Sequence, residues 1–126
     1  MRQGLEAQLG EGGRIRYAKG ANISNDSTFA KRVNAFNPQI VIDERSPETM
    51  LEEAVGIARQ SDVIVAVLGE AADMSGESSS MAFIGLQPAQ ERLLKALKET
   101  GKPIVLVLFN GRPMTLTWED ENMDAI

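Results

Sequence analysis

Three carboxylates, Glu70, Asp73 and Glu77, crowd into a small-residue stretch, Gly69 to Ser80, directly after the apolar run Val63-Ile64-Val65-Ala66-Val67-Leu68. Carboxyl groups in such a loop can serve as general acids or bases, or can be no more than solvated surface charge. Composition narrows the choice. The 126 residues contain neither cysteine nor histidine. Thiol catalysis, disulfides and thiolate metal sites are excluded, as are a Ser-His-Asp triad and the common zinc sites. Acid/base work near neutral pH therefore falls to carboxylates, or to a perturbed Lys or Tyr. No metal or cofactor is called for.

The elements on either side of the loop fix where it falls in the fold. The β-branched run before it reads as a strand, Asp62 to Leu68, buried on both faces. In open α/β sheets ligands sit in the crevice beyond the carboxyl ends of parallel strands, which is where the carboxylate loop falls. Ser46-Pro47-Glu48 is a helix start with a capping hydroxyl, a first-turn proline and an acid. Leu51, Ala54, Val55 and Ala58 then recur at helical spacing toward Gln60. Pro88 opens another helix with the stripe Leu93, Leu94 and Leu97, stopped by Gly101 and Pro103, and Ile104 to Phe109 is a second apolar strand. Asn110-Gly111-Arg112-Pro113 is a tight turn, Met114 to Thr117 an extended piece, and Trp118 to Glu121 the approach to a further helix. Before all this, Arg2 to Leu9 reads as a short helix, Arg14 to Ala18 as a strand, and Ala21 to Arg45 as a long irregular stretch holding a brief strand at Ile40 to Ile42.

Helix, strand, loop, helix, strand is an α/β pattern: a mostly parallel sheet flanked by helices on both faces. The pattern also looks cut. The first helix has no strand before it, and Met123-Asp124-Ala125-Ile126 stops where another strand would begin, so residues 1–126 are expected to be part of a larger domain. A net charge of -5 gives no basic patch for nucleic acid, and no apolar run is long enough to cross a bilayer, so neither is expected as a partner.

The ordered set Tyr17-Ala18-Lys19-Gly20, Leu68-Gly69-Glu70, Met74 to Ser80, Asn110-Gly111-Arg112-Pro113 and Trp118-Glu119 resembles the second domain of family 3 glycoside hydrolases. The likeness covers almost the whole chain and is nearest the bacterial periplasmic β-glucosidase branch. It implies an α/β sandwich that follows a barrel domain absent here. The barrel would supply a nucleophilic aspartate, and the sandwich domain a glutamate that serves as general acid/base. Glu77 matches that glutamate, with Glu70 as runner-up. The implied substrate is a glycoside or oligosaccharide with a terminal β-linked sugar, and the implied location periplasmic or secreted. Retaining glycosidases place the two carboxyls about 5 Å apart, and the acid must be kept neutral for the first step by a dry, apolar or like-charged surround. Gly76 gives the loop backbone freedom, while Met74, Ser75 and Ser78 are candidates for contacts to substrate or for hydrogen bonds that direct the carboxyl. One departure concerns the residues after the serine run. Many relatives carry an arginine and a polar residue there, where this chain has Met81 and Phe83.

Other features read as structural. Glu70 directly follows the strand and suits an anchoring salt bridge, Asp73 a solvent-exposed position. Arg112 suits a tie between neighbouring loops and Trp118 packing at a helix start. Glu119, Asp120, Glu121 and Asp124 lack calcium-loop spacing and read as acids on a solvated face. Gly10-Glu11-Gly12-Gly13 precedes a strand, so it fails as a dinucleotide fingerprint. Two rival readings use the same fold: a non-catalytic carbohydrate-binding module, and a structural or interaction domain whose loop docks a neighbour.

Overall fold

Pro47–Arg59 forms a helix for the reasons its first residues announce. Ser46 Oγ accepts the Thr49 N–H at 3.1 Å, Pro47 occupies the first helical position and Glu48 faces the positive helix end. The computed structural model describes residues 2–35, 37–77 and 79–126. In chain order the elements are α1 (Arg2–Leu9), α2 (Ser27–Val33), α3 (Pro47–Arg59), β1 (Ile64–Gly69), α4 (Pro88–Lys98), β2 (Ile104–Phe109) and α5 (Thr117–Asn122). Short 3-10 turns span Gly10–Gly12 and Ala72–Met74.

β1 and β2 pair in parallel, from Ile64 opposite Ile104 to Gly69 opposite Phe109, with α4 as the crossover between them. The main core lies on one face of this pair. Ala66, Ile104 and Leu106 meet Ala54 and Ala58 of α3 and Leu93, Leu94 and Leu97 of α4. The alanines let the helices approach closely, and Gly20 threads past them. A Cβ on Gly20 would come within 2.6 Å of Leu93 Cδ1 and 2.8 Å of Ala54 Cβ. A second, smaller core of Ala30, Val33, Ile40, Ala71 and Met74 joins α2 to the loop after β1.

The α/β class and the parallel sheet are as expected. The described residues carry helical cover on one face, because α3 and α4 both cross to the even-numbered side of the strands. On the other face Val65, Val67 and Phe109 are largely exposed. Beyond β2 the pairing continues where the sequence suggests another strand. Ala125 bridges in parallel to Val105, its carbonyl accepting the Leu106 N–H at 2.9 Å.

Four local expectations need correction. Arg14 to Ala18 forms no strand, since a strand exists only with a ladder partner and none pairs there among the described residues. Ile40 to Ile42 is likewise unpaired, although Ile40 is buried and its N–H and carbonyl are both held by the Asn34 side chain, at 2.8 and 2.7 Å. The polar stretch before it contains α2, capped by Asp26, whose Oδ1 accepts the Thr28 and Phe29 N–H groups at 2.8 and 3.0 Å. The acids near the end are not all solvated. Glu119 is buried because it shares a helical strip with Met123, which packs on the main core, and Asp124 Oδ2 accepts the Ile104 N–H at 2.8 Å.

Candidate functional site

The site loop begins at a position only glycine can fill. Gly69 ends β1 with φ at +136°, and a Cβ there would lie 1.9 Å from the Phe109 carbonyl oxygen. Its backbone is gripped by a buried glutamine from the first turn of α4. The Gly69 N–H donates to Gln90 Oε1 at 2.9 Å, and Gln90 Nε2 donates to the Gly69 carbonyl at 2.8 Å. Glu70 continues the ladder, its N–H donating to the Phe109 carbonyl at 2.7 Å. Its carboxylate is 6% exposed and meets Arg112 Nε at 3.2 Å through Oε1 and 3.3 Å through Oε2. The loop after β1 is thus tied to the turn after β2, as the positions of Glu70 and Arg112 suggested. Ser75 presses on the same turn, since a Cβ on Gly111 would fall 2.0 Å from Ser75 Oγ.

From there the chain dips into the second core. Met74 is buried and its sulfur accepts the Ala71 N–H at 3.3 Å. Gln39, from the polar stretch, accepts the Asp73 N–H through Oε1 at 3.1 Å. Asp73 is half-buried instead of free in solvent, with Oδ2 buried and unpartnered among the described residues. Ser79 then closes the turn. Its Oγ donates to the Asp73 carbonyl at 2.7 Å and its N–H to the Gly76 carbonyl at 3.1 Å. Glu77 sits on this clamped turn with its side chain exposed. Glu77, Met74, Ser75 and Asp73 line one cavity of about 310 Å³, closed on the far side by Phe29 and Arg32 of α2. Ser78 lies outside the described residues.

The arrangement offers a carboxyl on a braced turn, open to a cavity at the carboxyl end of a parallel strand. That is chemically suited to exchange a proton with a ligand in the cavity. No cluster of acids able to hold a metal occurs among the described residues. Trp118 is half-buried against the main core, with Lys95 Nζ 5.6 Å from its ring centroid, so it packs as expected. Sequence reasoning missed Gln90, Gln39, Ser79, Phe29 and Arg32. Of these, only the α2 pair had a readable signal: Asp26 as a cap, followed by apolar Phe29, Ala30 and Val33 at helical spacing.

Residues 1–126 match the model of the glycosyl hydrolase family 3 C-terminal domain. The chain belongs to family 3. It is 49% identical over 123 residues to the periplasmic beta-glucosidase of Salmonella typhimurium, covering 98% of this chain and 16% of that protein. It is 34% identical, again over 98% of its length, to a beta-xylosidase of Formosa agariphila, of which it spans 14%. Among solved structures, a beta-glucosidase involved in saponin metabolism from intestinal bacteria matches 90% of this family 3 segment and 16% of that chain, with a TM-score of 0.66 and 32% identity. The Listeria innocua beta-glucosidase in complex with gluconolactone matches 64% of the segment and 11% of that chain, with a TM-score of 0.59 and 38% identity. The family 3 segment therefore spans about a sixth or less of the relatives it resembles.

Proposed function

We propose that this chain is the acid/base part of a retaining exo-β-glycosidase site of the β-glucosidase type, with Glu77 as the catalytic acid and base. The observation that carries the reading is Glu77 itself: an exposed carboxyl on a turn braced by Ser79, over a cavity beyond the end of β1. The names of the relatives, beta-glucosidases and a beta-xylosidase, support the reaction class. Glu70 fits the acid role less well, since its carboxylate is enclosed and engaged by Arg112.

In the first step protonated Glu77 gives its proton to the glycosidic oxygen while a nucleophilic aspartate attacks the anomeric carbon. The C–O bond breaks, the aglycone leaves as an alcohol, and a glycosyl-enzyme forms. In the second step the Glu77 carboxylate takes a proton from water as the water oxygen attacks the same carbon, releasing the sugar and the aspartate. The nucleophile and most of the sugar pocket belong to a preceding barrel domain in this reading. Its docking also excludes water from the acid's surroundings. The substrate is a terminal β-linked sugar, glucose first. Residues 1–126 alone are inactive, and the whole enzyme acts in the periplasm or outside the cell.

The test is Glu77→Gln in the longer enzyme. Turnover of substrates with poor leaving groups should collapse, while azide partly restores turnover of activated aryl glycosides by replacing water in the second step. Unchanged turnover refutes the assignment. Hydrolysis of an aryl β-glucoside by residues 1–126 alone contradicts the division of the site between domains.

A further inference from the structure

A long cavity lies away from the acid turn, along the outer edge of β1. Its volume is about 250 Å³, and it runs between β1 and residues 16–21, with Ala54, Ala58, Leu93 and Leu97 of α3 and α4 as its floor. The β1 wall is a line of open backbone groups. The Ile64 N–H donates to the Pro103 carbonyl at 2.9 Å and the Glu70 N–H to the Phe109 carbonyl at 2.7 Å, so the even-numbered residues of β1 face β2. In a parallel ladder the alternate residues turn their N–H and carbonyl groups to the opposite side. Val65 and Val67 therefore point theirs into the slot, where they meet no partner among the described residues. The next odd-numbered residue, Gly69, is closed off by Gln90, which takes its N–H and its carbonyl at 2.9 and 2.8 Å. That glutamine stands where a strand partner would and marks the end of the slot.

Natural proteins cover such edges, and residues 14–18 have the pattern of a strand without a ladder partner. We propose that the slot seats a further strand of the same enzyme, the one that leads into α1, running parallel to β1 between it and residues 14–18. The proposal stands apart from the acid/base reading. The family 3 segment spans 16% of its Salmonella relative, so a longer enzyme has chain to supply the strand. A floor of alanines and leucines calls for aliphatic side chains on its inner face. Handedness then places α1. Going from β1 to β2, the right-handed crossover puts α4 on the even-numbered face. From the inserted strand to residues 14–18 the chain moves the opposite way across the sheet, so the same hand puts α1 on the other face. That is the face where Val65 and Val67 are 41% and 44% exposed. None of the described residues of α1 is buried, although Leu5 and Leu9 share one side of the helix. One event accounts for all three features: the strand enters, α1 closes over the valines, and residues 14–18 gain a partner.

The experiment is hydrogen exchange on the unaltered longer enzyme, without substrate, at several protein concentrations. The Val65 and Val67 amides should exchange about a hundredfold or more slowly than free amides, equally at every concentration. Amides of the segment entering α1 should be protected with them. Exchange of the two valines at the free rate overturns the proposal, since the edge is then open. Protection that fades on dilution overturns it too, because a second copy then covers the edge. Free exchange in the segment entering α1, beside protected valines, means that another element fills the slot and equally refutes it. A substitution tests the placement of α1. Val67→Asp in the longer enzyme should lower the urea midpoint well below that of Val67→Thr, as for a charge forced under a helix. A midpoint equal to that of the unaltered enzyme leaves the valine in solvent and overturns that placement. No readout here involves turnover, so failure of the Glu77 assignment and failure of this proposal are told apart.

Discussion

Glu70 and Glu77 are the same residue type in the same loop, yet the fold treats them in opposite ways. Glu70 sits where the loop leaves the sheet, and its carboxylate is enclosed and engaged by Arg112. Glu77 sits at the far end, where the backbone is pinned but the side chain is left to the cavity. A buried charge with a fixed partner sets the position of a backbone and is spent on that task. An exposed carboxyl on a braced turn is left open to a ligand in the cavity. In the proposed reading, one glutamate holds the loop so that the other can serve as acid and base.

The sharpest way to break this division is to exchange the expected readouts. Glu77→Gln should lower kcat/KM on poor-leaving-group substrates about a thousandfold, or ~4 kcal/mol of transition-state stabilisation, with the thermal unfolding midpoint unmoved. Glu70→Gln should do the reverse in kind. It leaves the partly buried Arg112 cation without its counter-charge and should cost about 2 kcal/mol in urea denaturation, with the double variant Glu70→Gln, Arg112→Met recovering part of the loss. Azide rescue of Glu70→Gln, and not of Glu77→Gln, would invert the two roles.

A smaller effect tests the brace. Ser79→Ala removes the 2.7 Å hydrogen bond to the Asp73 carbonyl and should cost about 1 kcal/mol, with a loss in kcat larger than that in KM as Glu77 loses its fixed direction. Equal turnover in Ser79→Ala would show that docking alone orients Glu77. The smallest effect lies outside both ends of the loop. Arg45 donates from Nε and Nη2 to Asp43, both at 2.9 Å, and this hydrogen-bonded pair holds the Asp43 carboxyl well below its ordinary 3.8, with Lys19 nearby. A depressed carboxylate stabilises the fold above its unfolded value, and that contribution is lost as pH falls through the lower folded value. Comparing unfolding midpoints at pH 5 and at pH 3 should therefore show a small acid loss that Asp43→Asn reduces, with the remainder carried in part by Glu48, which Arg92 also holds below its ordinary value.

Much of the scaffold was legible because its signals are local. The cap at Ser46, the stripe Leu93, Leu94 and Leu97, and the run Ile104 to Phe109 each declare an element within a few residues. The helix at Ser27–Val33 was missed although its cap was in view, since it is only 7 residues long and lies in a polar stretch. The expected strand at Arg14 to Ala18 failed for the opposite reason: its pattern suits a strand, but pairing is decided elsewhere in the chain.

At the site the same boundary applies. Residue types alone restricted the chemistry to carboxylates, and the order of motifs along the chain pointed to family 3 and to Glu77. Which glutamate is enclosed and which is open depended on contacts that sequence spacing does not encode. Arg112 reaches Glu70 across 42 positions, Gln39 reaches Asp73 across 34, and Gln90 reaches Gly69 across 21. Such contacts exist only after the strands have paired and the two cores have formed. The sequence by itself determined the available chemistry and the elements that carry it. The tertiary structure decided which carboxyl is enclosed by a partner and which is left open to the cavity, because burial and partnership are properties of neighbours in space.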